Sequence, residues 1–350
     1  MTLETKEKIV LVCALPLLIW DVILYILSLQ WISILLFKSQ QASVAVGEAT
    51  ETHGCPRRSA KSPHELVASK QTLYDMIQEA VSQYSDKTAL VSRTFVELHK
   101  VHPTDRFPTK IYNDDDMEEL TYGEFGAEIV AFGAGLRALG MKPIPTLSNG
   151  QTFDDDDNAE GGPFVMVIFE DTCKQWTVGL HGAMTQSMTV ATCYATLGED
   201  AVVAAVNETQ ATTLLLNWKK AEKFASLAHT MPTLKTIIAS TYEMPKGTPT
   251  PLPPSRKSSL QILSTNEVVA LGKREMDQYP PVPPKLTNVA VIMYTSGSTG
   301  KPKGVVMTHE QLVSGVSGMR RNVHLRPGKE VVISYLPLAH VLALQIENAL

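Results

Sequence analysis

Neither a basic surface nor a cysteine framework can be built from this chain. Its 350 residues carry 31 lysines and arginines against 36 aspartates and glutamates, a formal net charge of −5. No positive field exists to neutralise phosphodiester backbones, which excludes general nucleic-acid binding. Only four cysteines occur, Cys13, Cys55, Cys173 and Cys193, with no C-x-x-C pair and no metal-ligand spacing. They read as reduced, partly buried thiols of a reducing compartment. Three signatures are also missing. There is no Walker A loop G-x-x-x-x-G-K-S/T, no nucleophile elbow G-x-S-x-G, and no internal repeat. Apolar content is ordinary for a globular protein, and the length suits two domains or one large α/β domain.

The N-terminus does contain a long hydrophobic run. Residues 9–37 are almost continuously apolar, interrupted by Pro16, Asp21 and a few small polar groups. That length spans a hydrocarbon core with tilt. It exceeds a signal-peptide core, and no small-residue cleavage pattern closes it. The run therefore predicts a transmembrane anchor over 9–37 behind a short tail, 1–8. Asp21 is discordant, because a mid-span charge costs about 2.5–3.5 kcal/mol on insertion scales. It faces a partner, is protonated, or divides the run into two interfacial pieces. Lys6 and Lys8 are offset by Glu4 and Glu7, whereas Lys38, Arg57, Arg58 and Lys61 follow the run. The excess of positive charge favours a cytosolic C-terminal side. The endoplasmic reticulum is the favoured membrane; outer mitochondrial and peroxisomal membranes are also compatible.

Residues 38–70 read as a Ser/Ala/Gly/Pro-rich linker without periodicity. Leu73, Met76, Ile77, Ala80, Val81 and Tyr84 then fall at helical spacing and predict a helix over 71–84. Thr88–Ser92 reads as a short strand. Thr121 with Glu124 forms a capping box for a helix running to about Gly140. The aspartate runs 114–116 and 154–157 read as solvated, self-repelling loops rather than metal sites.

From Phe164 the pattern is regular. Strands are expected at 164–169, 188–192, 212–216 and 234–239, with helices at 172–186, from about 199, and at 219–229. Short, fully apolar strands alternating with helices imply an α/β fold, a mostly parallel sheet flanked by helices on both faces. Pro245–Ser259 reads as a surface loop and Pro280–Pro284 as a stiffer connector. Trp176 and Trp218 read as core or interface anchors.

Residues 288–293 return as an apolar strand and lead into Tyr294-Thr-Ser-Gly-Ser-Thr-Gly-Lys-Pro-Lys-Gly304. Hydroxyls, glycines and lysines at this density present backbone N–H groups and ammonium charge to one phosphate cluster. A flexible Ser/Gly loop is the competing reading. The strand delivers the loop at its C-terminal end, where open α/β sheets bind ligands. Thr308 and Gln311 form a capping box that opens the next helix.

The order of residues from Thr295 to Gly304 resembles the phosphate loop of the adenylate-forming enzymes: acyl-CoA synthetases, luciferases and peptide-synthetase adenylation domains. Ser334-Tyr-Leu-Pro-Leu-Ala-His340-Val resembles the motif that, in long-chain acyl-CoA synthetases, begins the helix beside the carboxylate pocket. Thr121-Tyr-Gly-Glu-Phe and the stretch from Gly161 to Cys193 are similar to further parts of the same family. The likeness covers roughly 65–350. It implies that 71–350 form the large N-terminal domain of an AMP-binding (adenylate-forming) enzyme, incomplete at its C-terminus.

The resemblance also implies a chemistry. A long-chain fatty acid is activated by ATP to acyl-AMP, and the acyl group then passes to CoA, with Mg2+ accompanying ATP. Thr295, Ser296, Ser298 and Thr299 would supply hydroxyls to the phosphates. Gly297, Gly300 and Gly304 would permit close approach, and Lys301 and Lys303 would add positive charge. His340 would orient the carboxylate or gate acyl entry, and Tyr335 would shape the pocket or pack. Relatives carry an aromatic-Glu pair where this chain has Leu342-Ala343, which leaves open whether Glu347 takes over the acidic role. The magnesium Glu, ribose Asp and C-terminal lysine of the family are not in these residues. The alternative is therefore a non-catalytic nucleotide- or acyl-binding fragment. His181 and His309 read as structural.

Overall fold

A computed structural model of the chain describes residues 43–45, 57–59, 71–100, 102, 109–145, 162–194, 197–244, 252–253, 259–295, 302–322, 326 and 328–349. The expected anchor, most of the linker, the aspartates 154–157, most of the Pro245–Ser259 loop and Ser296–Lys301 lie outside these residues. Among the described residues no helix is long and apolar enough to cross a membrane. The chain divides into two compact units, 1–68 and 69–350. In the first, β1 (Ser43–Ala45) pairs antiparallel with β2 (Arg57–Ser59), where the composition suggested only a linker.

The second unit opens with α1 (Leu73–Gln83), started by a Thr72–Asp75 capping box. Next come β3 (Thr88–His99) and β4 (Thr109–Thr121), an antiparallel hairpin of its own. The Thr121–Glu124 capping box does open a helix, α2 (Tyr122–Ala138). β3 runs well past the expected Ser92, and Asp114–Asp116 lie on β4 rather than in a loop. Both strands are largely solvated, so no alternation of apolar and polar residues marks them. The acids stay in water, with Arg93 Nη1 3.0 Å from Asp114 Oδ1.

The βα alternation then builds the main sheet: β5 (Val165–Phe169), α3 (Lys174–Met184), β6 (Thr189–Thr192), α4 (Glu199–Glu208), β7 (Thr213–Asn217), α5 (Trp218–Leu227) and β8 (Thr236–Ser240). Each of these falls within a few residues of its expected place. β9 (Gln261–Ser264) and α6 (Thr265–Glu275) follow, then β10 (Val289–Thr295), β11 (Lys303–Thr308), α7 (His309–Asn322) and α8 (Val341–Ala349). The seven strands are ordered β11-β10-β6-β5-β7-β8-β9. All neighbours are parallel except the hairpin β10–β11.

Alternate residues of each strand feed two cores. Met166, Ile168, Val190, Leu215 and Val291 face α2, α3 and α7, whereas Val165, Val167, Leu214, Leu216 and Ile292 face α4 and α5. With both faces covered, every strand position gains from being apolar. Truncating one such Leu or Ile to Ala costs about 2–5 kcal/mol. β5 connects to β6 on one side, while β7 connects to β8 on the other. The carboxyl ends of β5 and β7 are thus the point where the winding reverses and a crevice opens.

Candidate active site

β10 lies parallel to β6 with Met293 opposite Thr192, so the strand ends on the same edge as β5, β6, β7 and β8. Thr295 pairs with Lys303 and Tyr294 with Gly304, and the Ser296–Pro302 segment is the loop of this hairpin. Of the loop residues with an expected phosphate role, Thr295, Lys303 and Gly304 are described. Ser296, Gly297, Ser298, Thr299, Gly300 and Lys301 lie outside the described residues. Lys303 is exposed. Gly304 has a packing reason of its own: a Cβ there would sit 2.8 Å from Ile292 Cγ2 and 3.2 Å from Tyr294 Cζ. Tyr294 is buried, and its hydroxyl donates to Glu208 Oε2 at 2.8 Å, which ties the strand end to α4.

His340 stands at the start of α8. Its ring meets Tyr194, just past β6, edge to face at 6.4 Å between centroids. The strand after β6 in the sheet is β10. His340 and the end of β10 therefore lie on one edge, with the end of β6 between them. His340 Nδ1 accepts the N–H of Leu342 at 3.2 Å, closing the first turn of its own helix. An accepting Nδ1 carries no proton, so Nε2 carries it and is left as a donor. The backbone is seated by Leu338 and Ala339, both buried.

Beside the segment that leads to His340 lies a cleft of about 570 Å3, lined by Lys110, Glu170, Asp171, Thr172, Tyr194, Tyr242, Tyr335 and Ala339 among others. It occupies the β5/β7 reversal point. Tyr335 is on its wall and exposed, in keeping with a pocket-shaping place. Glu347 is elsewhere: it lines a second, more apolar cavity of about 470 Å3 together with Phe125, Trp176 and Leu344. There Ser334 Oγ donates to it, and burial raises its carboxyl pKa.

Sequence reasoning missed the charged floor of the cleft. Glu170 follows the last residue of β5 and is almost wholly buried. Its Oε1 accepts the Asp171 N–H at 2.8 Å and Asn217 Nδ2 at 3.3 Å, while Oε2 has no partner. Burial pushes its carboxyl up to about 7, against the opposing pull of hydrogen bonds from Asp171, Ser240 and Asn217. Glu243 is buried too, in left-handed backbone at φ 58°, and bridges two lysines. Lys219 Nζ stands 2.8 Å from its Oε2, and Lys110 bonds its Oε1 while lying 3.0 Å from Asp171 Oδ2. Burial would lower the Lys110 ammonium, but the hydrogen bonds to Glu243 and Asp171 prevail and raise it. The one signal for this cluster was position. Glu170-Asp171 is the first charged pair after a wholly apolar strand, at its carboxyl end.

His181 and His309 are buried on α3 and α7. Burial, with the nearby His309, lowers His181 to about 4, and burial likewise lowers His309 to about 4. Both are neutral packing residues, as expected. Cys193 is buried and Cys173 partly buried, and both are free thiols. Burial pushes the Cys193 thiol up to about 12, far from a nucleophilic thiolate. Among the described residues no group of three or more His, Cys, Asp or Glu is placed to hold a metal ion.

A doubly wound α/β domain with a Ser/Thr/Gly/Lys hairpin loop and a histidine-bearing turn at one carboxyl edge defines a class of nucleotide-handling enzymes. The chain belongs to the AMP-binding enzyme family, whose profile matches residues 158–350. It is 31% identical over 298 residues to long chain acyl-CoA synthetase 8 of Arabidopsis thaliana, covering 84% of this chain and 38% of that protein. It is 30% identical over 339 residues to long-chain-fatty-acid–CoA ligase 3 of Saccharomyces cerevisiae, covering 88% of this chain and 46% of that one. The chain thus spans less than half the length of these relatives. Among solved structures, a long-chain-fatty-acid-CoA ligase from Archaeoglobus fulgidus superposes with a TM-score of 0.56 at 16% identity, over 80% of this chain and 45% of that one. The AMP-bound A-PCP didomain of the Segniliparus rugosus carboxylic acid reductase gives 0.58 at 18%, over 82% and 38%. These structures share the α/β fold with this chain.

Proposed function

We propose that this chain carries the ATP-handling and acid-activating part of a long-chain fatty acid–CoA ligase. The observation that supports the reading is that β10 ends, at Thr295, on the same carboxyl edge as β6, beyond which Tyr194 meets His340. The names of the relatives, long-chain acyl-CoA synthetases and ligases, supply the substrate class.

In the first step a carboxylate oxygen bonds to the α-phosphorus of ATP as the bond to the bridging pyrophosphate oxygen breaks. Two anions must meet, so the work is positioning and charge neutralisation. The loop hydroxyls of Thr295, Ser296, Ser298 and Thr299, with Lys301 and Lys303, bind the departing phosphates. Gly297 and Gly300 let its backbone approach. His340 presents Nε2–H to an oxygen of the carboxylate or the adenylate. ATP enters with Mg2+, which would share in neutralising its phosphates. In the second step the CoA sulfur bonds to the acyl carbon, AMP leaves, and the thiol proton passes to solvent. Residues 9–37 hold the protein at a membrane, the endoplasmic reticulum being the favoured one, with the catalytic part cytosolic. An insoluble acid is best collected there.

The test is fatty-acid-dependent ATP–pyrophosphate exchange by the chain and by Lys301→Ala and Thr299→Ala variants. A loss of about a hundredfold is expected from removing donors to developing charge; exchange unchanged by both substitutions refutes the reading. ATP binding without any exchange in the unaltered chain would favour a non-catalytic nucleotide-binding module.

A further inference from the structure

We propose that Thr172 is a positioning residue for His340, an assignment that rests on the reading of His340 as part of the site. Thr172 lies in the short connection between β5 and α3, remote in sequence from the histidine. Its hydroxyl donates to the carbonyl of Leu336 at 2.8 Å and accepts the N–H of Leu338 at 3.0 Å. A hydroxyl has one proton to give, so the first bond fixes its direction and the second uses a lone pair. Pro337, between the two partners, has no N–H. The Thr172 hydroxyl thus bridges the backbone on either side of the proline.

A short chain of bonds leads from this bridge to the imidazole. The Pro337 carbonyl accepts the N–H of His340 at 2.9 Å, and the His340 carbonyl accepts the N–H of Leu344 at 3.1 Å, which starts α8. His340 Nδ1 then takes the Leu342 N–H. At its other end the clamp is anchored in the centre of the sheet. β5 is paired on both sides, to β6 and to β7. The preceding residues are pinned as well, because Glu170 Oε1 holds the Asp171 N–H and the Asn217 amide at the end of β7. Thr172 therefore transfers the position of the central strand, paired on both sides, to the turn that aims His340. Tyr194, at the end of the neighbouring strand, limits the ring from the side.

Two substitutions separate positioning from mere packing. Thr172→Val keeps the shape and removes both bonds, whereas Thr172→Ser keeps the hydroxyl. In fatty-acid-dependent ATP–pyrophosphate exchange, Thr172→Val is expected to lower kcat by about ten- to a hundredfold, the cost of a small misplacement. KM for ATP should be unchanged, and Thr172→Ser should restore the rate. A second readout needs no activity: nitrogen NMR of histidine-labelled protein, with the His340 signals identified by their loss in His340→Gln. The unaltered chain should show an unprotonated Nδ1 and a protonated Nε2, and Thr172→Val should average the two. If the unaltered chain catalyses no exchange but the His340 signals respond in this way, the enzymatic reading fails and the positioning stands. If Thr172→Val leaves the His340 signals in place, or if Ser fails to restore what Val removes, the proposal is overturned.

Discussion

Glu170 shows how a single side chain in the cleft sets the response to pH. Its carboxyl ordinarily titrates near 4.5 but is pushed up to about 7 here, chiefly by burial. Between those values the native state holds the extra proton, so the group's contribution to stability falls as pH rises through the window. The shift corresponds to a penalty on the order of 3 kcal/mol at neutral pH. Two histidines act in the opposite sense. His181 and His309 fall from 6.5 to about 4, so unfolded chains bind more protons in that interval and stability rises with pH there. The net curve mixes the two, and a difference isolates one. Glu170→Gln should match the unaltered chain in urea midpoint below pH 4.5 and exceed it progressively towards pH 8; parallel curves would show that the carboxylate is not desolvated. Candidate site residues stood out in the sequence where they sat in an ordered motif, as in Thr295–Gly304 and Leu336–His340. Glu170, Lys110, Glu243 and Thr172 were not, because their partners lie on strands far away in sequence, and no local spacing reports a pairing made by the sheet.

Elements were legible to the degree that their burial was regular. The parallel strands have both faces covered, so they appear as apolar runs, and capping boxes at Thr121 and Thr308 mark real helix starts. The β3–β4 hairpin is solvated, and its second strand passed for an acidic loop. α6 went unnoticed although Ser264 and Glu267 form a full capping box, because its apolar stripe is short. Its importance lies in a contact invisible to periodicity. A Cβ on Gly272 of α6 would fall 1.6 Å from the carbonyl oxygen of Ala131 on α2, and one on Gly135 would fall 2.3 Å from the carbonyl of Val268. The two helices touch backbone to backbone, which only glycine allows. Gly272→Ala must push them apart and should cost about 2 kcal/mol or more. In α7, a Cβ added at Gly318 would have no atom within 4 Å, and Gly318→Ala should instead gain about 0.5–1 kcal/mol from helix propensity. Opposite shifts in the urea midpoint for the same chemical change would confirm the close crossing. Equal shifts would refute it.

For the molecule as a whole, the proposed reading makes binding and turnover separable. On it, phosphate recognition requires the β10–β11 hairpin, which the sheet holds through β6, and turnover also requires the His340 turn, held through Thr172. A nucleotide that binds only the folded chain stabilises it by about 2.7 kcal/mol at a hundred times its dissociation constant. Magnesium–ATP should therefore raise the melting temperature of the chain, and Lys301→Ala should weaken that rise. Thr172→Val and His340→Gln should leave it intact, since neither removes a contact to the departing β- and γ-phosphates. Hydrogen exchange with ATP should slow at the amides of the hairpin loop while the solvated β3–β4 hairpin is unaffected. A rise in melting temperature that survives Lys301→Ala, with no protection in the loop, would put the nucleotide elsewhere in the molecule. The joint outcome matters most. A chain that binds ATP through the hairpin yet depends on Thr172 and His340 for exchange divides its work along the carboxyl edge, phosphates at β10 and the acid at β5 and β6.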